Sequence, residues 1–135
     1  MKKLVCILLL CCLCIPALAE YIPVYQPLYQ SPAASRAGET ISTSMPRASV
    51  SLPESLSSFS IGVGRTFVYL QQGMLIVEHM AQAAGDYCLI SCRAQNDMGQ
   101  DVPEFLIEQF SAGGMPTLRA VYAWINNEWQ LTILP

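Results

Sequence analysis

The first nineteen residues decide how much of this chain is left to fold. Lys2 and Lys3 make a short positive start, Leu4 to Ile15 is an unbroken apolar run, and Ala17-Leu18-Ala19 offers small residues where a signal peptidase reads them. The run is shorter than the roughly 20 apolar residues that span a bilayer, and Pro16 interrupts it. The expectation is a signal peptide over residues 1–19, cleavage before Glu20, and a periplasmic or secreted product that does not insert in a membrane afterwards. The short double-lysine start is of the bacterial type.

Removing the leader changes what remains. Both lysines go with it, leaving five arginines (Arg36, Arg47, Arg65, Arg93 and Arg119) against ten carboxylates, a net charge of −5. Scattered arginines on an acidic chain give no electrostatic footprint for nucleic acid or anionic lipid. Four of the six cysteines also go, leaving Cys88 and Cys92. An even pair in an exported chain argues for a disulfide. Geometry restricts that reading. On a straight strand the two α-carbons would stand about 13 Å apart, whereas a disulfide needs about 4.4–6.8 Å. The pair is therefore either a bridge on bent backbone or two free thiols on one face of a strand. Thiol-redox or Cu(I) chemistry is a further option, with His79, the sole histidine, as a third group and Met74, Met80, Met98 and Met115 as soft ligands. A lone histidine beside an apolar stripe is more often a surface residue than a ligand, and no metal or other cofactor is expected.

Composition then splits the chain near residue 54. Residues 20–54 are rich in Pro, Ser, Thr and Ala and contain a tetrapeptide repeat, Tyr21-Ile-Pro-Val, Tyr25-Gln-Pro-Leu and Tyr29-Gln-Ser-Pro. Proline fixes φ and removes a donor, so a flexible, extended segment is expected there. Tyr21, Tyr25 and Tyr29 could then dock into an aromatic groove on a partner. Residues 55–135 carry most of the periodic apolar pattern and read as one small domain, marginal without a staple or a partner.

Within that domain the pattern predicts an α+β fold, with one or two helices packed on a short antiparallel sheet. Phe67, Leu70, Met74, Val77, Ala81 and Ala84 recur at helical spacing over Thr66–Ala84, with Gly85 as a stop. Gly73 and the β-prone Thr66-Phe-Val-Tyr leave an alternative open: a strand over about Ser60–Leu70 and a helix only from Gly73. Tyr87–Cys92 reads as a buried strand. Asp101, Pro103 and Glu104 resemble a helix N-terminus, leading a second helix that Gly113-Gly114 would end. Arg119–Ile125 and Glu128–Leu134 flank Asn126-Asn127 and read as a hairpin, with Trp124 opposite Trp129.

No catalytic constellation emerges. No serine lies in a Gly-x-Ser-x-Gly turn, and Asp97, Asp101 and Glu104 match no calcium loop. The expected class is a non-enzymatic interaction module, an accessory subunit or adaptor with a protein partner in the cell envelope, contacted through the tyrosines or through Trp124 and Trp129. A thiol-redox or copper-binding protein using Cys88 and Cys92, and an inhibitor or immunity-type protein, are the alternatives.

Overall fold

The computed structural model describes residues 25–54 and 56–135. The expected signal peptide and Tyr21 lie outside the described residues. The architecture is two antiparallel sheets packed face to face. Nine strands build it among the described residues: β1 (Gln26–Gln30), β2 (Thr40–Pro46), β3 (Phe59–Val63), β4 (Thr66–Gln71), β5 (Met74–Met80), β6 (Tyr87–Gln95), β7 (Asp101–Phe110), β8 (Pro116–Ile125) and β9 (Glu128–Ile133). The larger sheet runs β1-β6-β7-β8-β9, and the smaller runs β2-β5-β4-β3. The only helical element among the described residues is a three-residue 3-10 turn, Arg47–Ser49. No helix there is long and apolar enough to cross a membrane.

The α+β expectation is therefore corrected to all-β, and each expected helix has a physical reason for being a strand. Over residues 66–84 the helical spacing comes from two strands of period two joined by a two-residue turn. Val68, Leu70, Leu75 and Val77 point inward and are fully buried, while Phe67 is exposed. Gln72 and Gly73 both take positive φ, 52° and 75°, as a type I′ hairpin turn requires, and Gln71 pairs with Met74. The glycine that would have weakened a helix is the turn. The strand alternative was right for residues 60–70, except that a Gly64-Arg65 turn divides it into β3 and β4.

The second expected helix is β7. Its centre, Pro103 to Ile107, is buried on both faces. Burial on both faces belongs to a central strand with neighbours on either side, and the one charge in this stretch, Glu104, is paired with Arg93. The cap-like Asp101-x-x-Glu104 leads out of a tight loop instead. Within that loop Asn96 Oδ1 accepts the backbone N–H groups of Met98 and Gln100 at 2.9 and 3.0 Å.

Residues 26–30 and 40–46, expected to belong to a flexible segment, form β1 and β2. β1 pairs with β6, and Ser31 continues the junction: its backbone N–H donates to the Cys88 carbonyl and its hydroxyl accepts the Cys88 N–H, each at 2.9 Å. β2 pairs with β5 along its whole length. The loop that follows is held by Arg47, whose guanidinium donates to the carbonyls of Pro53 and Leu56.

The core lies between the sheets. Ile61, Val68, Leu70, Leu75 and Val77 of the small sheet meet Cys88, Ile90, Phe105 and Ile107 of the large one. At one end of this layer, Phe59 packs against Phe105 (ring centroids 5.9 Å apart) and Trp129 (4.9 Å). The large sheet has one strand more than the small one, and on its edge strand β9 Trp129 is covered by Phe59 while Leu131 and Ile133 stay exposed.

Candidate functional site

Two places bring chemically capable groups together, at opposite ends of the inter-sheet layer. The first is polar. Thr66 opens β4, His79 lies opposite it near the end of β5, and Gln109 reaches across from β7 in the other sheet. Gly64 makes the approach feasible. At φ +57° it turns the β3–β4 hairpin, and a Cβ there would stand 2.7 Å from Leu118 Cδ2 and 2.8 Å from Gln109 Oε1.

Hydrogen bonding fixes the protons in this group. The Arg65 backbone N–H can only donate, and it sits 2.8 Å from the Gln109 side chain, so the atom it meets is Oε1. The Thr66 hydroxyl donates to the same oxygen at 2.9 Å. With its proton spent, Thr66 Oγ1 must accept from His79, whose Nδ1 lies 2.9 Å away. His79 Nδ1 therefore carries the hydrogen, and Nε2 holds the lone pair. Burial pushes the imidazole below its ordinary pKa; Asp86 pulls it back up and Arg65 pushes it further down. His79 is only 2% exposed, and its Nε2 has no protein partner. The ring lines a cavity of about 200 Å³ shared with Arg65, Asp86, Gln109, Ser111 and Thr117. The Asp86 carboxylate closes the adjoining loop by accepting the N–H groups of Gln82 and Ala83, both at 2.9 Å.

This differs from a surface histidine, which the sequence favoured. Period-two spacing puts His79 on the inner face behind Leu75 and Val77, and that signal becomes visible once the segment is read as strand. The structure does not gather the candidate metal donors Cys88, Cys92 and His79. Among the described residues no three His, Cys, Asp or Glu side chains lie close enough together to hold a metal ion.

Cys88 and Cys92 are free thiols on the inner face of β6. Tyr87 to Arg93 pairs without interruption with β7, so this stretch is extended. Four extended residues span about 13 Å, twice the reach of a disulfide. Of the two backbone geometries the spacing allowed, the structure shows the straight strand, with both sulfur-bearing side chains on one face. Burial raises the pKa of both thiols, with hydrogen bonds from Ser31 partly lowering that of Cys88. A reactive cysteine needs the opposite shift.

Tyr25 and Tyr29 are used internally. Tyr29 lies opposite Ile90 and packs on the core. The Tyr25 hydroxyl donates to Glu104 Oε2 at 2.8 Å, and burial, followed by Glu104, pushes its pKa up to about 12. Arg93 clamps both Glu104 oxygens at 2.9 and 3.0 Å, and its guanidinium stands 5.4 Å from the Tyr25 ring centre. This cluster fastens the start of β1 to the outer face of the large sheet.

The second place is the C-terminal hairpin. Asn126 and Asn127 take φ of 53° and 61°, the type I′ geometry, and Trp124 pairs with Trp129 at 5.2 Å between ring centroids, edge to face. Trp129 also packs on Phe59 and Phe105, so the face carrying both tryptophans is turned toward the core. Beyond it on the same face of β9 stand Leu131 and Ile133, 45% and 53% exposed. Sequence reasoning missed these two, although the alternation Trp129, Leu131, Ile133 was there to read.

No protein-family model, no curated protein and no solved structure matches this chain.

Proposed function

We propose that this chain is an exported, non-enzymatic interaction module of the bacterial cell envelope, and that it binds protein through the edge of β9, which no strand among the described residues covers. The observation that carries the reading is the pair Leu131 and Ile133, two large apolar side chains left open on an edge strand. Natural edge strands are blunted with charge, proline or a bulge because their unpaired N–H and C=O groups recruit other strands. Between Trp129 and Ile133 the edge carries none of these. Apolar residues beside unpaired backbone are what strand addition uses, with the backbone supplying affinity and alternate side chains supplying choice. Burial raises the pKa of both Cys88 and the half-buried Cys92, which lends no support to thiol–disulfide chemistry. The leader over residues 1–19 supports export, and intact-mass measurement of exported protein is expected to give Glu20 as the first residue.

The test is capture from solubilised envelope. Wild-type chain is expected to retain a partner in stoichiometric amount. The double variant Leu131→Lys, Ile133→Lys is expected to lose it while keeping its thermal melt. Equal capture by both would refute the β9 edge as the binding surface.

A further inference from the structure

The β9 edge can be read further, because hydrogen-bond parity decides which backbone groups it offers. The Leu134 N–H donates to the Arg119 carbonyl at 2.8 Å. In antiparallel pairs, hydrogen-bonded and non-hydrogen-bonded positions alternate. Continuing the β8–β9 register, Thr132, Gln130 and Glu128 bond inward to Val121, Ala123 and Ile125. Trp129, Leu131 and Ile133 therefore turn their N–H and C=O groups outward. The residues that present free backbone are the same ones that carry the apolar side chains.

That coincidence makes the edge self-complementary. We infer that β9 pairs antiparallel with β9 of a second copy of this chain, about a two-fold axis through Leu131. In this register Leu131 faces Leu131 of the second copy, and Trp129 faces Ile133 of the second copy. Every outward-facing residue then meets another outward-facing residue, so all the bonds can form. A two-fold axis normal to the sheet keeps the inner faces on one side. Leu131 and Ile133 of both copies then form one apolar floor between the two small sheets.

Charge agrees with the pairing. Glu128 is the only charged residue of β9. In this register the two Glu128 side chains are six positions apart, about 20 Å along the ribbon, well beyond the roughly 8–10 Å over which exposed charges interact. The other edges fit a second copy less well. β1 is five residues long, contains Pro27, and its register breaks between Pro27 and Tyr29. β2 exposes Thr40, Ser42 and Ser44 and ends at Pro46, and β3 is five residues long with Gly62 in it.

This inference rests on β9 being the binding edge, and the experiment separates the two. The chain is purified after export and examined by sedimentation up to roughly 100 µM, the range for a small interface. Wild type is expected to dimerise. At the two-fold axis residue 131 faces itself, so Leu131→Lys and Leu131→Glu are each expected to weaken the dimer at least about tenfold. Mixing the two variants should restore a heterodimer. Ile133→Pro removes only an outward N–H and is expected to weaken the dimer while leaving the bonds to β8 intact. This provides a second route should a charge at 131 disturb folding. A monomeric wild type, a dimer indifferent to these changes, or a mixture that fails to pair would overturn the inference. If the wild type is monomeric yet still captures an envelope protein that Leu131→Lys loses, the binding-edge reading stands and only the second copy falls.

Discussion

The two ends of the inter-sheet layer are closed by opposite chemistry. At one end Phe59, Phe105 and Trp129 meet ring to ring, with centroids 4.9–5.9 Å apart. At the other, Thr66, His79 and Gln109 join the same two sheets through a chain of hydrogen bonds, each 2.9 Å long. Ring packing is non-directional and scales with the area buried. A hydrogen-bond chain contributes little net free energy while complete, but a buried group left without a partner is costly. The aromatic end should therefore supply bulk stability at any pH. The polar end should contribute less, depend on individual atoms, and respond to protons.

The largest expected effect lies at the aromatic end. Phe105 is fully buried and touches both other rings. Phe105→Ala is expected to cost about 3–5 kcal/mol, a large share of the stability of a domain this size. Denaturant unfolding measures it. A loss below about 1.5 kcal/mol would mean that Phe59 and Trp129 close the gap and that the ring cluster is not the anchor described here. Trp124 is only half-buried and meets one ring of the cluster, so Trp124→Ala should cost clearly less than Phe105→Ala.

At the polar end, Thr66→Val keeps the shape and deletes the hydroxyl. It leaves His79 Nδ1–H without an acceptor and removes one of the two donors to Gln109 Oε1, for an expected cost of about 1–3 kcal/mol. Thr66→Ser retains the hydroxyl and should cost less than Thr66→Val, despite losing more apolar surface. If the order is reversed, the site is governed by packing, and the contrast between the two ends fails.

His79 makes the polar end sensitive to pH. Its folded pKa is lowered, chiefly by burial. Above the unfolded value of about 6.5 both states are neutral and the full stability is present. As pH falls below 6.5 the unfolded chain binds the proton first, so stability drops until the folded pKa is passed. The slope in that window is at most about 1.4 kcal/mol per pH unit. Urea midpoints for wild type and His79→Gln, followed from pH 7.5 downward, should diverge in slope just below 6.5. Parallel curves would remove His79 as the titrating group.

The same contrast governs what could be read from the sequence. The hairpin was legible because its signal is local: Asn126-Asn127 demands positive φ, and the tryptophans flank it at fixed distance. The polar end was not, because strand pairing brings Thr66 to His79, 13 residues on, and only the packing of the two sheets brings Gln109, 43 residues on, to Thr66. Reading Thr66–Ala84 as helix also put His79 on the wrong face. β1 and β2 were missed for a related reason. Proline and serine mark extended backbone, but nothing local tells an extended tether from a strand paired with β6 or β5. The exposed Leu131 and Ile133 become meaningful only when the smaller sheet is seen to cover Trp129 but leave the rest of the inner face of β9 open.

The smallest effect concerns the turn that feeds the aromatic end. Asn126 and Asn127 hold φ of 53° and 61°, a region in which a β-carbon costs roughly 1–2 kcal/mol and which Asn and Gly tolerate best. Asn127→Ala is therefore expected to cost about 1 kcal/mol, and Asn127→Gly to be neutral or to stabilise by a few tenths. Trp129, only two residues on, is held by Phe59 and Phe105 as well as by the turn. The alanine variant should thus lower the melting temperature without shifting tryptophan emission. Its cost should also be the same at pH 7.5 and pH 5.5, since His79 stands at the far end of the layer. A red shift in emission would show that the turn, and not the ring cluster, positions Trp129. A cost that changed with pH would show that the two ends of the layer are coupled through the sheet.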